Sequence, residues 1–86
     1  MKQRKTLGTA NILGAKIESL RNDRKIKQKD FIAKMQSIGV DINPTSYSKL
    51  EGQQRIITDK EIYAITKILN IDFNELFKDA SLDTDK

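Results

Sequence analysis

Thr45, Ser48 and Lys49 fall within five residues of one another in the stretch Asn-Pro-Thr-Ser-Tyr-Ser-Lys-Leu-Glu, residues 43–51. Two hydroxyls and an ammonium group at that spacing suit recognition by hydrogen bonding and charge, not bond-making chemistry. The stretch itself reads as a short helix. Asn43 can cap the first free backbone N–H groups with its side chain. Pro44 suits the first helical position, where its missing N–H costs nothing. Tyr47 and Leu50, three apart, share one face and can be buried. Pro44, Thr45, Ser48 and Lys49 then lie on other faces. A helix with one apolar stripe, short polar groups and a Lys at its front suits insertion into a DNA groove. An ordinary surface helix carries the same local pattern, so the choice between them falls to the rest of the chain.

Other chemistries are poorly served. The 86 residues contain no His and no Cys, so the usual zinc ligands, thiol chemistry and the commonest general base at neutral pH are missing. Glu51 has no second carboxylate, base or metal ligand placed with it to make a catalytic group. No Gly-rich loop is available to cradle a nucleotide phosphate. The sequence therefore reads as a non-enzyme that holds no metal and no cofactor. No apolar run approaches the roughly 20 residues of a membrane span, and the N-terminus lacks the apolar segment of a signal peptide. A soluble, cytoplasmic protein without membrane partners is expected. The net charge of +4 is unevenly spread: residues 1–55 hold 12 Lys or Arg against 5 Asp or Glu, and residues 56–86 hold 4 against 7. A polyanion would prefer the first part.

The elements that must position this stretch are helical. Residues 1–10, with Lys2, Arg4 and Lys5, read as a flexible basic arm that lies along a phosphate backbone or simply frays. A first helix is expected from Asn11 to about Asn22, with Leu13, Ile17 and Leu20 at helical spacing. Gly14 inside it makes sense if another helix passes close. After a polar connector, with Ile26 plugging the core, a second helix is expected from Gln28 to Ile38. It is apolar at Phe31, Met35 and Ile38, with Ile32 alongside, and ends at Gly39. The third helix follows a short Gly-containing connection, a helix-turn-helix pattern. Thr58 and Glu61 form a capping box for a fourth helix with Ile62, Ile65 and Leu69 inward and Ile68 adjoining. Asn70 suits a left-handed terminator. Asp72 and Glu75 repeat the capping logic for a last short helix carrying Phe73, Leu76 and Phe77. Residues 79–86 read as a disordered acidic tail. No internal repeat and no useful period-two alternation is visible.

In its order of motifs the chain resembles the lambda-repressor-like, Cro/cI-type (XRE) helix-turn-helix family. The resemblance rests on Leu13-Gly14-x-x-Ile17-x-x-Leu20-Arg21, on Gln28-x-x-Phe31, and on Leu50-Glu51-Gly52 followed by Arg55. It continues in Ile62-x-x-Ile65-x-x-Ile68-Leu69-x-Ile71-x-x-x-Glu75-Leu76-Phe77 and covers residues 11–78. Two departures stand out. The connection from Met35 to Asn43 is longer than the family's shortest turns, implying an extended second helix or a wider elbow. Ile32 occupies a position where the family usually has a small Ala.

The resemblance implies an all-α, five-helix lambda-repressor-like domain that reads double-stranded DNA with its third helix. Pro44, Thr45 and Lys49 match family positions that face base edges, with Ser48 at the groove edge. Lys49 could address guanine O6 and N7, or only a phosphate, and Thr45 a thymine methyl. Gln28, at the start of the second helix, matches a phosphate-holding position. Asn43 and Ser46 are further phosphate candidates, though Asn43 is also needed as a cap. Lys25, Lys27, Lys29 and Arg55 would add backbone attraction. Arg21 and Glu51 match a pair that ties the first helix to the third inside the domain. Tyr47 is expected in the core. Tyr63 and Ile57 could form a dimer contact or be scattered surface apolars. The expected function is a sequence-specific transcriptional regulator, a repressor before an activator, acting as a homodimer on half-sites roughly 34 Å apart. The alternative is an antitoxin or adaptor of the same fold with a protein partner.

Overall fold

Asn11 does more than begin the first helix. The computed structural model describes residues 7–78 and residue 80. In it the Asn11 Oδ1 accepts from the N–H groups of Leu13 (2.9 Å) and Gly14 (2.8 Å). Its Nδ2 donates to the carbonyls of Leu50 (3.1 Å) and Arg55 (2.8 Å). Residues 11–13 thus form a capping turn, and helix α1 spans Gly14–Asp23, starting later than apolar spacing alone suggests. Gly14 is there for close approach: a Cβ at this position would sit 2.6 Å from the Glu51 carbonyl oxygen and closer still to that of Leu50.

Four more helices complete the regular structure: α2 (Gln28–Ile38), α3 (Pro44–Glu51), α4 (Asp59–Leu69) and α5 (Phe73–Phe77). No strand occurs among the described residues, and the protein is all-helical. Each boundary has a local cause. Gly39 ends α2 at φ +112° and Asn70 ends α4 at φ +58°, both left-handed positions that Gly and Asn tolerate. Asn43 accepts from the Ser46 N–H at 2.8 Å, with Pro44 following at the first helical position. Thr58 and Glu61 close a capping box on α4. Asp72 accepts from the Glu75 N–H at 2.8 Å to start α5.

The core lies where α1, α2, α3 and α4 meet. Ile17, Phe31, Met35, Tyr47, Leu50, Ile65, Leu69 and Leu76 are its fully buried large side chains. The Phe31 and Tyr47 rings pack with centroids 5.5 Å apart. Leu13, Ile32, Ile42 and Ala64 fill the remaining space, and Ile26 packs against the edge from the α1–α2 turn. Ile38, expected on the apolar face of α2, is 41% exposed, and of the apolar residues of α5 Phe73 and Phe77 are 56% and 44% exposed. Ile38 is the last residue of α2, and Ile42 of the following connector is buried instead. A five-residue α5 can turn only one face inward, and Leu76 occupies it. On α4 the inward side is wider than the expected stripe, because Ala64 and Thr66 are also buried.

Two of the residues expected in a flexible basic arm, Gly8 and Ala10, are held to the fold. Gly8 N–H donates to the Gly52 carbonyl (2.9 Å) and Ala10 N–H to that of Gln53 (3.0 Å). Gln53 Nε2 returns a bond to the Gly8 carbonyl (3.2 Å). Backbone here runs so close that a Cβ on Gly8 would overlap Gln53. Lys2, Arg4 and Lys5 lie outside the described residues, as does the expected tail apart from Ala80.

Candidate nucleic-acid interface

Helix α3 divides its residues between two environments. Tyr47, Leu50 and Glu51 are buried, while Pro44, Thr45, Ser48 and Lys49 are exposed. The period of 3.6 residues separates the two sets. The four exposed residues, with Gln28 from α2 and Gln54 from the loop after α3, line one shallow open depression. None of the six is acidic. Gln54 had no sequence signal. It is brought there because Gln53 takes φ +59°, a turn that composition does not announce for Gln. The chain then folds back so that the Gln54 N–H donates to the Lys49 carbonyl (2.9 Å).

The start of α2 borders this surface through Gln28. Lys27 precedes the helix with no side-chain cap, and the first intrahelical donor is the Phe31 N–H, bonded to the Lys27 carbonyl at 3.0 Å. The N–H groups of Gln28, Lys29 and Asp30 come before that first bond, at the positive end of the helix dipole. The exposed side chains of Lys27 and Lys29 flank them. Asp30, also in this turn, partly offsets their charge. Lys25 is exposed in the preceding turn at φ +57°.

Beneath the depression lies a buried carboxylate. Glu51 is fully buried. It accepts from Arg21 Nε (2.7 Å) and Nη2 (3.2 Å), from the Tyr47 hydroxyl (2.5 Å) and from Gln28 Nε2 (3.0 Å). Arg21 Nη1 also donates to the Ile26 carbonyl at 2.7 Å. A charge taken out of water is tolerated only when so surrounded. Burial works against the Arg21 charge, but the hydrogen bonds and negative charge of Glu51 outweigh it and raise its pKa. Burial first, then the Glu51 charge and hydrogen bond, push the Tyr47 phenol far above its ordinary value. Tyr47 is therefore a neutral donor, turned away from the exposed face. Its wider role, and that of Gln28 as a third donor, are additions to the expected Arg21–Glu51 pair.

Two of the expected phosphate contacts, Asn43 and Ser46, are joined at the start of α3 through atoms other than their side-chain donors. The Asn43 side-chain oxygen holds the α3 cap, and the Ser46 N–H is its donor. Arg55 is further from the role expected of it. Its Nε donates to the Ser46 carbonyl (3.0 Å), and its Nη groups reach the Ile56 carbonyl (2.8 Å) and both Glu61 oxygens (3.0 and 2.9 Å). A guanidinium so paired fastens the α3–α4 loop, and Glu61 neutralises its charge. The Glu61 carboxyl would be raised by burial, but the bonds from Arg55 and Thr58 prevail and hold it below the usual range.

Among the described residues, no three or more His, Cys, Asp or Glu side chains group to hold a metal, and no helix is long and apolar enough to cross a membrane. Compared with models of known protein families, with curated proteins and with solved structures, the chain gave no match.

Proposed function

We propose that this protein is a sequence-specific double-stranded DNA-binding regulator of the lambda-repressor-like helix-turn-helix type. The observation that carries the reading is the outward face of α3: Pro44, Thr45, Ser48 and Lys49, with Gln28 and Gln54, on one exposed surface free of acid groups. In the proposed mechanism α3 lies in the major groove. Lys49 addresses guanine O6 and N7, Thr45 and Ser48 use their hydroxyls, and Pro44 offers an apolar contact. The uncapped start of α2, with Lys27 and Lys29, receives a phosphate. Two protomers on half-sites about one helical turn apart would occlude a promoter. Arg55 is left out of this scheme because Glu61 neutralises it.

The test is selection of bound sites from random duplexes, followed by comparison of the selected site with random DNA. Lys49→Ala should weaken the selected site by roughly tenfold or more, and random DNA less. Equal losses on both would reduce Lys49 to a phosphate contact. No selectable site at all would overturn the regulator reading.

One observation favours the adaptor or antitoxin alternative. A second surface, lined by Ile38, Gly39, Val40, Asp59, Lys60 and Tyr63, carries exposed apolar side chains suited to a protein partner. Salt separates the two readings. DNA binding through several phosphates falls steeply with salt concentration, whereas an adaptor would show little duplex affinity even at moderate salt.

A further inference from the structure

Gln28 is the member of the Glu51 network that also lines the depression beside α3. That double position fixes more than its place. A carboxylate only accepts hydrogen bonds, so the Gln28 amide must turn its nitrogen toward Glu51, and Nε2 lies 3.0 Å from Glu51 Oε1. The flip of this amide is therefore dictated by the core. Its carbonyl oxygen diverges from the nitrogen at the trigonal carbon, and among the described residues nothing donates to it. Gln28 is partly buried, not free in solvent, so few rotamers compete with this one.

We propose that Glu51 orients Gln28 so that its Oε1 reads a hydrogen-bond-donating base edge, an exocyclic amine of adenine (N6) or cytosine (N4), in the groove occupied by α3. The inference rests on the DNA-binding reading and assigns Gln28 a role different from the phosphate contact that the family resemblance implies. A phosphate offers only acceptors, so this oxygen cannot hold one, and the Nε2 proton that Glu51 does not take is the sole donor Gln28 could offer it. Among groove edges, adenine and cytosine present amines in the major groove, while guanine O6 and thymine O4 are acceptors that this oxygen would reject. Phosphate holding at the start of α2 then falls to backbone N–H groups and to Lys27 and Lys29. Glu51 acts here as a positioning residue, since it touches Gln28 and not the DNA.

Two measurements test this on the full chain. The first selects sites from random duplexes with the unaltered protein and with Gln28→Ala. One position per half-site, preferring adenine or cytosine, should lose roughly tenfold of its discrimination, while the preferences set by Lys49 persist. Uniform weakening with every preference intact would make Gln28 a phosphate contact and overturn the inference alone. If the unaltered chain selects no site, the regulator reading falls and the inference with it. In a folded Glu51→Gln chain, where the partner amide no longer forbids the flip, the same position should shift toward guanine or thymine. An unchanged preference would remove the orienting role of Glu51. The second measurement needs neither DNA nor that variant: NMR of the Gln28 side-chain amide in the free protein. One proton held by Glu51 should exchange at least tenfold more slowly than those of exposed Gln side chains such as Gln54. Equal, fast exchange would overturn the orientation on which the proposal stands.

Discussion

Among the described residues, two Arg–Glu pairs fasten helices and loops of this small domain, and they are built differently. Arg21 and Glu51 are thirty residues apart in the chain and join α1 to the end of α3 at 2.7 Å. Tyr47 and Gln28 add donors from α3 and α2. Arg55 and Glu61 are six residues apart, and their pair closes the α3–α4 loop onto the start of α4. Glu61 would have local work without Arg55, because it accepts from the Thr58 N–H (2.9 Å) in the capping box. Side-chain exposure follows the same division: 8% and 0% in the first pair, 22% and 10% in the second. The first pair fixes how three helices meet and continues to the proposed DNA-facing surface. The second holds one loop.

The comparison can be broken most easily at Glu51. Glu51→Ala leaves the Arg21 guanidinium buried without its partner and should destabilise the protein by about 3–5 kcal/mol, read by denaturant unfolding. Because small domains have only about 5–15 kcal/mol in total, this variant should be close to unfolding. A loss below about 1 kcal/mol would show that the pair does not organise the core. Tyr47→Phe removes one hydrogen bond to a charged group and should cost about 1.5–3 kcal/mol. Glu61→Ala removes half a capping box and a partly exposed pair, and about 1–2 kcal/mol is expected. A larger loss from Glu61 than from Glu51 would invert the ranking.

The two networks should also respond at opposite ends of the pH scale. The Glu61 pKa is lowered in the fold from an ordinary 4.5. Its contribution to stability is complete above that value and is lost as pH falls through the lower folded pKa. The Tyr47 pKa is raised from an ordinary 10.0. Its contribution is complete below 10 and declines as pH rises further. Melting temperature against pH should therefore drop on both flanks, with Glu61→Gln flattening the acid side and Tyr47→Phe the alkaline side. If either variant leaves its flank unchanged, another group causes that loss. Lys49→Ala should have the smallest effect on folding, within about 0.5 kcal/mol, because Lys49 is exposed outside both networks.

The sequence made local features legible and left convergent ones hidden. Asn43, Thr58 and Asp72 announce their helices because each cap is completed three residues later by Ser46, Glu61 and Glu75. Gly39 and Asn70 mark ends through backbone freedom that few other residues share. Apolar spacing identified Ile17, Phe31, Tyr47, Leu50, Ile65 and Leu69. It placed Ile38 with Phe31 and Met35, yet Ile38 is exposed, because periodicity shows which residues share a face but not how far that face stays covered. At the candidate site, the split of α3 into a buried and an exposed side was readable from eight residues. The positions of Gln54 and Arg55 were not. One depends on a left-handed Gln53, the other on a carboxylate six residues further on.

The Asn11 side chain grips both the α1 start and the far end of α3, and Gly8 and Ala10 add backbone bonds beside it. A practical boundary follows for anyone shortening the protein. A chain trimmed to begin at Gly14 would keep all five helices yet lose the clasp that aligns two of them, so a self-sufficient fragment has to start at Gly8 or earlier.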